Sequence, residues 1–186
     1  YKTMTDTTNY DMNKEQPSKM KSALNFGAIL GLILMVLSLV TYVFEMYENQ
    51  AFGYLSWVVI IAGIVIGIRK YRDGVLGGFI SYSNALGYGV LITLFASIIV
   101  SFANYVYLGF IDTSFIDYTL EQTEIQMIEQ GQPEEAIEMA MAWTSKMVSP
   151  IGIFIMGILG TTFMGSIVSL IAAAFLKNDP DSFENA

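Results

Sequence analysis

Four long stretches of this chain carry no Asp, Glu, Lys, Arg or His, and nothing else in the sequence constrains the fold as strongly. They are Leu24–Phe44, Phe52–Ile68, Gly74–Ile111 and Ile151–Leu176. A helix needs about 20 apolar residues to cross roughly 30 Å of hydrocarbon. Inside lipid, only helices and closed barrels satisfy every backbone N–H and C=O. The expected fold is therefore all-α: a polytopic four-helix transmembrane bundle, occupying residues 22–176. Composition agrees, with 54% hydrophobic and only 14% charged residues, where soluble domains carry about 25% charged.

The spans are expected at about 24–44, 52–68, 86–107 and 151–176. Tyr54 and Trp57 sit near the start of the second, as an interfacial aromatic belt would. Arg69, Lys70 and Arg72 stop it. The third stretch is too long for one straight span. Its first part, GFISYSNALGYG, is the more polar, so the pattern predicts an interfacial helix near 75–86 followed by the span. A single strongly tilted helix is the alternative.

Residues 1–21 are polar, with Pro17 near their end, and read as a disordered cytoplasmic tail. Met4, Met12 and Met20 are candidate start residues. The first apolar run is longer than a signal-peptide core and is read as a retained span. Residues 177–186 form a short second tail.

Residues 109–149 are acidic and follow helical spacing. Thr113 or Ser114 suits an N-cap, Gly131 a C′ stop and Pro133 the first position of a second helix. Apolar residues recur at Phe115, Ile116, Leu120, Ile125 and Ile128, then at Ala136, Ile137, Ala140, Met141 and Met147. The prediction is an external αα-hairpin over about 113–147 whose apolar faces meet each other or cap the bundle.

Charge sets the threading. Four spans put Lys2, Lys14, Lys19, Lys21, Arg69, Lys70, Arg72 and Lys177 on one side and only Lys146 on the other. The positive-inside rule makes the first side cytoplasmic, both termini included. The location expected is the inner, or cytoplasmic, membrane of a bacterium. The net charge of −8 is then concentrated in the outer loops.

Catalytic chemistry is missing from the pattern. Without Cys or His, no disulfide framework, Cys/His zinc site, cysteine nucleophile or His-based triad can be built. No Walker loop, GxSxG elbow or HExxH helix occurs. An acidic chain is unsuited to nucleic acid. No cofactor or metal site is expected, and the chain is read as no enzyme.

Three sets of residues remain as candidates. Small residues at four-residue spacing favour close helix packing: Gly27 and Gly31, Gly63 and Gly67, and Gly157, Thr161, Gly165, Ser169 and Ala173. Glu121, Glu124, Glu134, Glu135 and Glu138 form a candidate partner surface on the hairpin. Glu45 and Glu48 lie about one turn apart at the end of the first span. Asn25, Asn84, Ser97, Ser101 and Asn104 are polar groups within or beside spans, suited to interhelical hydrogen bonds and less to a pore lining.

The order of segments resembles a known family. A basic start leads into NFGAILGLILMVLSLVTYVF. A second span ends in IGIRKYRDG, and GGFISYSNALGYGVLITLFASIIVSFANYVYLGFID follows. An acidic external hairpin and a Gly-rich last span complete the pattern over about residues 19–177. It resembles four-span bacterial inner-membrane proteins defined only by a domain of unknown function and frequent in Bacteroidota. The resemblance implies location and fold, not mechanism.

The leading expectation is a non-enzymatic accessory or scaffold subunit of an envelope complex. Its partners would be the lipid bilayer and another membrane or envelope protein. The alternatives are a small passive channel or transporter working as a homo-oligomer and, more weakly, a membrane enzyme acting on lipids or polyprenyl-linked glycans.

Overall fold

The computed structural model describes residues 18–46 and 49–178. Most of the N-terminal tail, residues 179–186 and Glu48 therefore lie outside the described residues. Among the described residues six helices follow one another: α1 (Lys19–Val43), α2 (Gln50–Gly74), α3 (Tyr82–Phe110), α4 (Ser114–Glu129), α5 (Glu134–Met147) and α6 (Pro150–Leu176). The chain is all-α. Helices α1, α2, α3 and α6 are each long and apolar enough to cross a membrane.

These helices run past the expected spans. Residues Arg69–Arg72 end the hydrocarbon segment but stay helical, because Arg and Lys are good helix formers once they reach water. At the same end of the bundle, α1 begins inside the expected tail. Ser18 caps it by accepting a hydrogen bond from the Lys21 N–H at 3.3 Å. Asn49 caps α2 through the Ala51 N–H, and Ser149 caps α6 through the Gly152 N–H ahead of Pro150.

No separate interfacial helix forms over 75–86. Residues 75–81 are a loop, and α3 is one continuous helix from Tyr82. Two adjacent glycines with positive φ, Gly77 at 66° and Gly78 at 96°, turn the chain after α2. Residues with a Cβ rarely adopt that region. The loop is then fastened to the chain leaving α6. Ile80 and Asn178 exchange backbone hydrogen bonds of 3.0 and 2.9 Å. The Asn178 side chain also donates to the Gly78 carbonyl.

Helix α3 is the hub, packed along both α1 and α6. Helix α2 is fully buried only in its second half, at Ile64, Gly67, Ile68 and Tyr71, with Val59 and Ile60 packed partly against the core. The buried set includes Ser22, Thr93, Ser97, Ser101 and Ser169, while Ile29, Leu32, Phe163 and Phe175 point outward. Small and hydroxyl residues inside with bulky apolar residues outside is the distribution of helices packed in lipid. With the four spans, it makes this a multi-pass membrane protein.

The segment between α3 and α6 is two helices in contact. Gly131 has φ of 67° and ends α4 in a Schellman arrangement. Its N–H reaches the Ile128 carbonyl, and the Gln132 N–H reaches that of Met127. Pro133 sits one place earlier than expected, as the N-cap of α5 with extended ψ, and Glu134 opens the helix. None of the residues of α4 or α5 is fully buried. Ile137, Ala140 and Met141 are half-buried, but Ile125, expected on the inner face, is 39% exposed.

Candidate functional site

The glycine and hydroxyl rows build the helix seams. A Cβ on Gly27 or Gly31 would meet backbone of α3 between Ile92 and Ala96. The same test puts Gly63 on the Leu30 side chain of α1 and Gly67 on Ile92 of α3. On α6, Gly157 faces Ser101 and Gly165 faces Thr93. The seam is reciprocal, since Gly89 of α3 receives Ser169. Thr161 departs from this row. It lines a cleft toward α2, and Thr162 supplies the hydroxyl that meets Ser97 at 3.1 Å. Four-residue steps advance about 40° past a full turn, so a strict i+4 row winds off the contact.

Some polar groups of the spans join helices, while Thr41, Ser56, Thr93, Ser166 and Ser169 donate back to carbonyls of their own helix. Ser38 Oγ donates to Asn104 Oδ1 at 3.0 Å, and Lys19 Nζ to Asn84 Oδ1 at 3.4 Å. Tyr88 and Ser22 share a buried hydrogen bond of 2.8 Å, and the Tyr88 ring stacks on Tyr71 at 4.0 Å. The contacts of Lys19, Tyr88 and Tyr71 hold α1, α2 and α3 together at one end, and Ser38–Asn104 ties α1 to α3 toward the other. Asn25 lies on an exposed face.

That end is also the basic one. Lys19, Lys21, Arg69, Lys70, Arg72 and Lys177 all lie where α1 and α3 start and α2 and α6 finish. Arg72 is committed structurally. Its Nη1 donates to the Leu176 carbonyl at the C-terminus of α6, and its Nε and Nη2 grip Asp73. Lys70 lies over the Phe26 ring.

The opposite end carries the acids. Glu121 and Glu124 on α4 and Glu134, Glu135 and Glu138 on α5 are all exposed. Among the described residues, no three Asp or Glu side chains converge to hold a metal ion. The hairpin's base, Lys146, lies over the Trp143 ring. Trp143 itself is 62% exposed, in a row with Met139 and Met147 that the apolar pattern of the sequence did not single out beyond Met147. Helical spacing could have found it, since the three residues are four apart.

The hairpin is anchored at its base. Tyr42 stacks on Tyr107 at 5.6 Å and meets Phe115 at 5.2 Å, tying α1 and α3 to α4. Asp112 Oδ1 accepts hydrogen bonds from the Ser114 hydroxyl and N–H at 2.6 and 2.9 Å. These hydrogen bonds, the hydroxyl's first, hold the Asp112 carboxyl below its ordinary range. Glu45 ends α1 with φ of 51°, and its expected pairing with Glu48 falls partly outside the described residues.

No curated protein and no solved structure matches the chain. A family of proteins of unknown function, DUF4199, matches residues 25–178. That stretch takes in all four spans and both hairpin helices, and the chain belongs to this DUF4199 family.

Proposed function

We propose that the protein is a non-enzymatic scaffold or accessory subunit of a bacterial envelope complex, docking its partner on the α4–α5 hairpin. One observation carries the reading: the hairpin is an anchored helical pair whose exposed acids far outnumber its one described base, Lys146, which lies over the Trp143 ring. Glu121 and Glu124 on α4 and Glu134, Glu135 and Glu138 on α5 are exposed, and α5 also carries the exposed Met139–Trp143–Met147 row. Aromatic and Met residues are favoured at interface cores, with charge guiding register and encounter. A basic partner surface with an apolar centre fits this chemistry.

The positive-inside rule supports the threading. It puts the basic end, and both termini, in the cytoplasm of the inner membrane. The acidic hairpin then faces the periplasm.

Photo-crosslinking tests the reading. A photoreactive residue at Glu138 or Trp143, in the full chain in intact cells, should trap one defined protein. Reversing Glu134, Glu135 and Glu138 to Lys should abolish that product while the chain still inserts and keeps its thermal stability. A hairpin that traps nothing at either position, or only traps its own copies, overturns the scaffold reading.

A further inference from the structure

The seam between α2 and α6 is not closed. Its basic half is a groove of about 360 Å³ lined by Ile61, Val65, Val168, Ile171, Ala172 and Phe175, with Arg69 at its end. The outer half continues as a cleft of about 450 Å³ past Trp57 and Thr161. From Ile61 to Arg69 is about 12 Å at 1.5 Å per residue, close to half the roughly 30 Å hydrocarbon thickness. The groove is therefore one leaflet deep. It opens sideways, where Phe175 is 83% exposed.

Arg69 sets its chemistry. This side chain is exposed and makes no hydrogen bond or ion pair among the described residues. The nearby carboxylate, Asp73, is already gripped by Arg72. Lys70, the next residue, caps a different groove on the other side of α2, against Phe26 and Ile66. An apolar, leaflet-deep slot ending in a guanidinium that no carboxylate holds by a hydrogen bond, with Asp73 only within Coulombic reach, suits an acyl chain carrying a phosphate headgroup. A second copy of the chain fits poorly. Aligned in the same membrane, it would bring another basic end against Arg69.

We infer that the α2–α6 groove binds one anionic glycerophospholipid, with its phosphate at Arg69 and an acyl chain along Val65, Ile171 and Ala172. The site is independent of the hairpin.

Brominated lipids test this directly. The reporter is the full chain with Trp57→Phe, Trp143→Phe and Ile171→Trp, reconstituted in vesicles. Phosphatidylglycerol brominated mid-chain should quench the new Trp with about five-fold greater apparent affinity than brominated phosphatidylcholine. That ratio corresponds to about 1 kcal/mol per basic side chain at an anionic surface. Arg69→Gln should remove the preference, while Lys70→Gln should keep it. Equal quenching by both lipids in the reporter, or equal losses in the two variants, would overturn the site in favour of diffuse attraction by the basic end. Native mass spectrometry of the unmodified chain gives a check free of the reporter substitutions. A phosphatidylglycerol adduct should survive detergent removal and be lost with Arg69→Gln. Its persistence in that variant also overturns the inference.

Discussion

Gly165 is among the tightest points of the α3–α6 seam. A Cβ there would run into the Thr93 side chain, whose hydroxyl already bonds back to the Gly89 and Val90 carbonyls. Gly165→Leu should cost about 1–3 kcal/mol, the range for overpacking, read as a lower melting temperature in detergent. Ile167→Leu, on an exposed face, should leave that temperature unchanged. Glu45 predicts the opposite sign. It holds φ of 51° without glycine's freedom, so Glu45→Gly should stabilise by about 0.5–1 kcal/mol in the same melt. Asp112 gives a pH dependence. Its carboxyl is held low in the folded state. Its contribution is thus fully present above the ordinary value of 3.8 and lost as pH falls through the lowered one. Hydrogen exchange in the first turn of α4 should quicken at that acid edge. Asp112→Asn, which keeps an acceptor for Ser114, should flatten the response.

At the scale of elements, the hairpin separates what spacing can and cannot say. Gly131 and Pro133 were legible as a stop and a start because each acts through its own backbone. The packed face was legible only in part. Ile137 is half-buried, but Ile125 is exposed. Ile137→Asp should therefore destabilise the hairpin by about 1–3 kcal/mol, and Ile125→Asp should be nearly silent. Protease resistance of the 113–147 segment in detergent would check both. The loop at 75–81 shows a different difficulty. Apolar periodicity runs through Gly77 and Gly78 without a break, yet two left-handed residues in succession cannot continue a helix.

The whole molecule is a charged dipole threaded through an apolar slab. All the described bases but Lys146 gather at one end, and all the described acids but Asp73 lie at the other. This distribution carries a topological prediction, and the absence of native Cys makes the assay clean. In intact cells, Cys at Gln130 should react with an impermeant thiol reagent and Cys at Ser18 should be protected. Labelling at Ser18 alone reverses the orientation proposed.

Hydrocarbon thickness, charge and turn residues act along the chain, so the sequence by itself determined four crossing helices, two hairpin helices and the segregation of charge. Tertiary structure decided which faces meet. It chose Thr162 over Thr161 against Ser97, fastened Asn178 to Ile80, and left α2 parted from α6 above Arg69. The reason lies in the solvent. In water a buried face announces itself by being apolar, but in lipid Leu gains little by preferring protein to an acyl chain. Hydropathy is then silent about partners. Close backbone approach and paired hydroxyls make that choice, and both require two helices to be present at once.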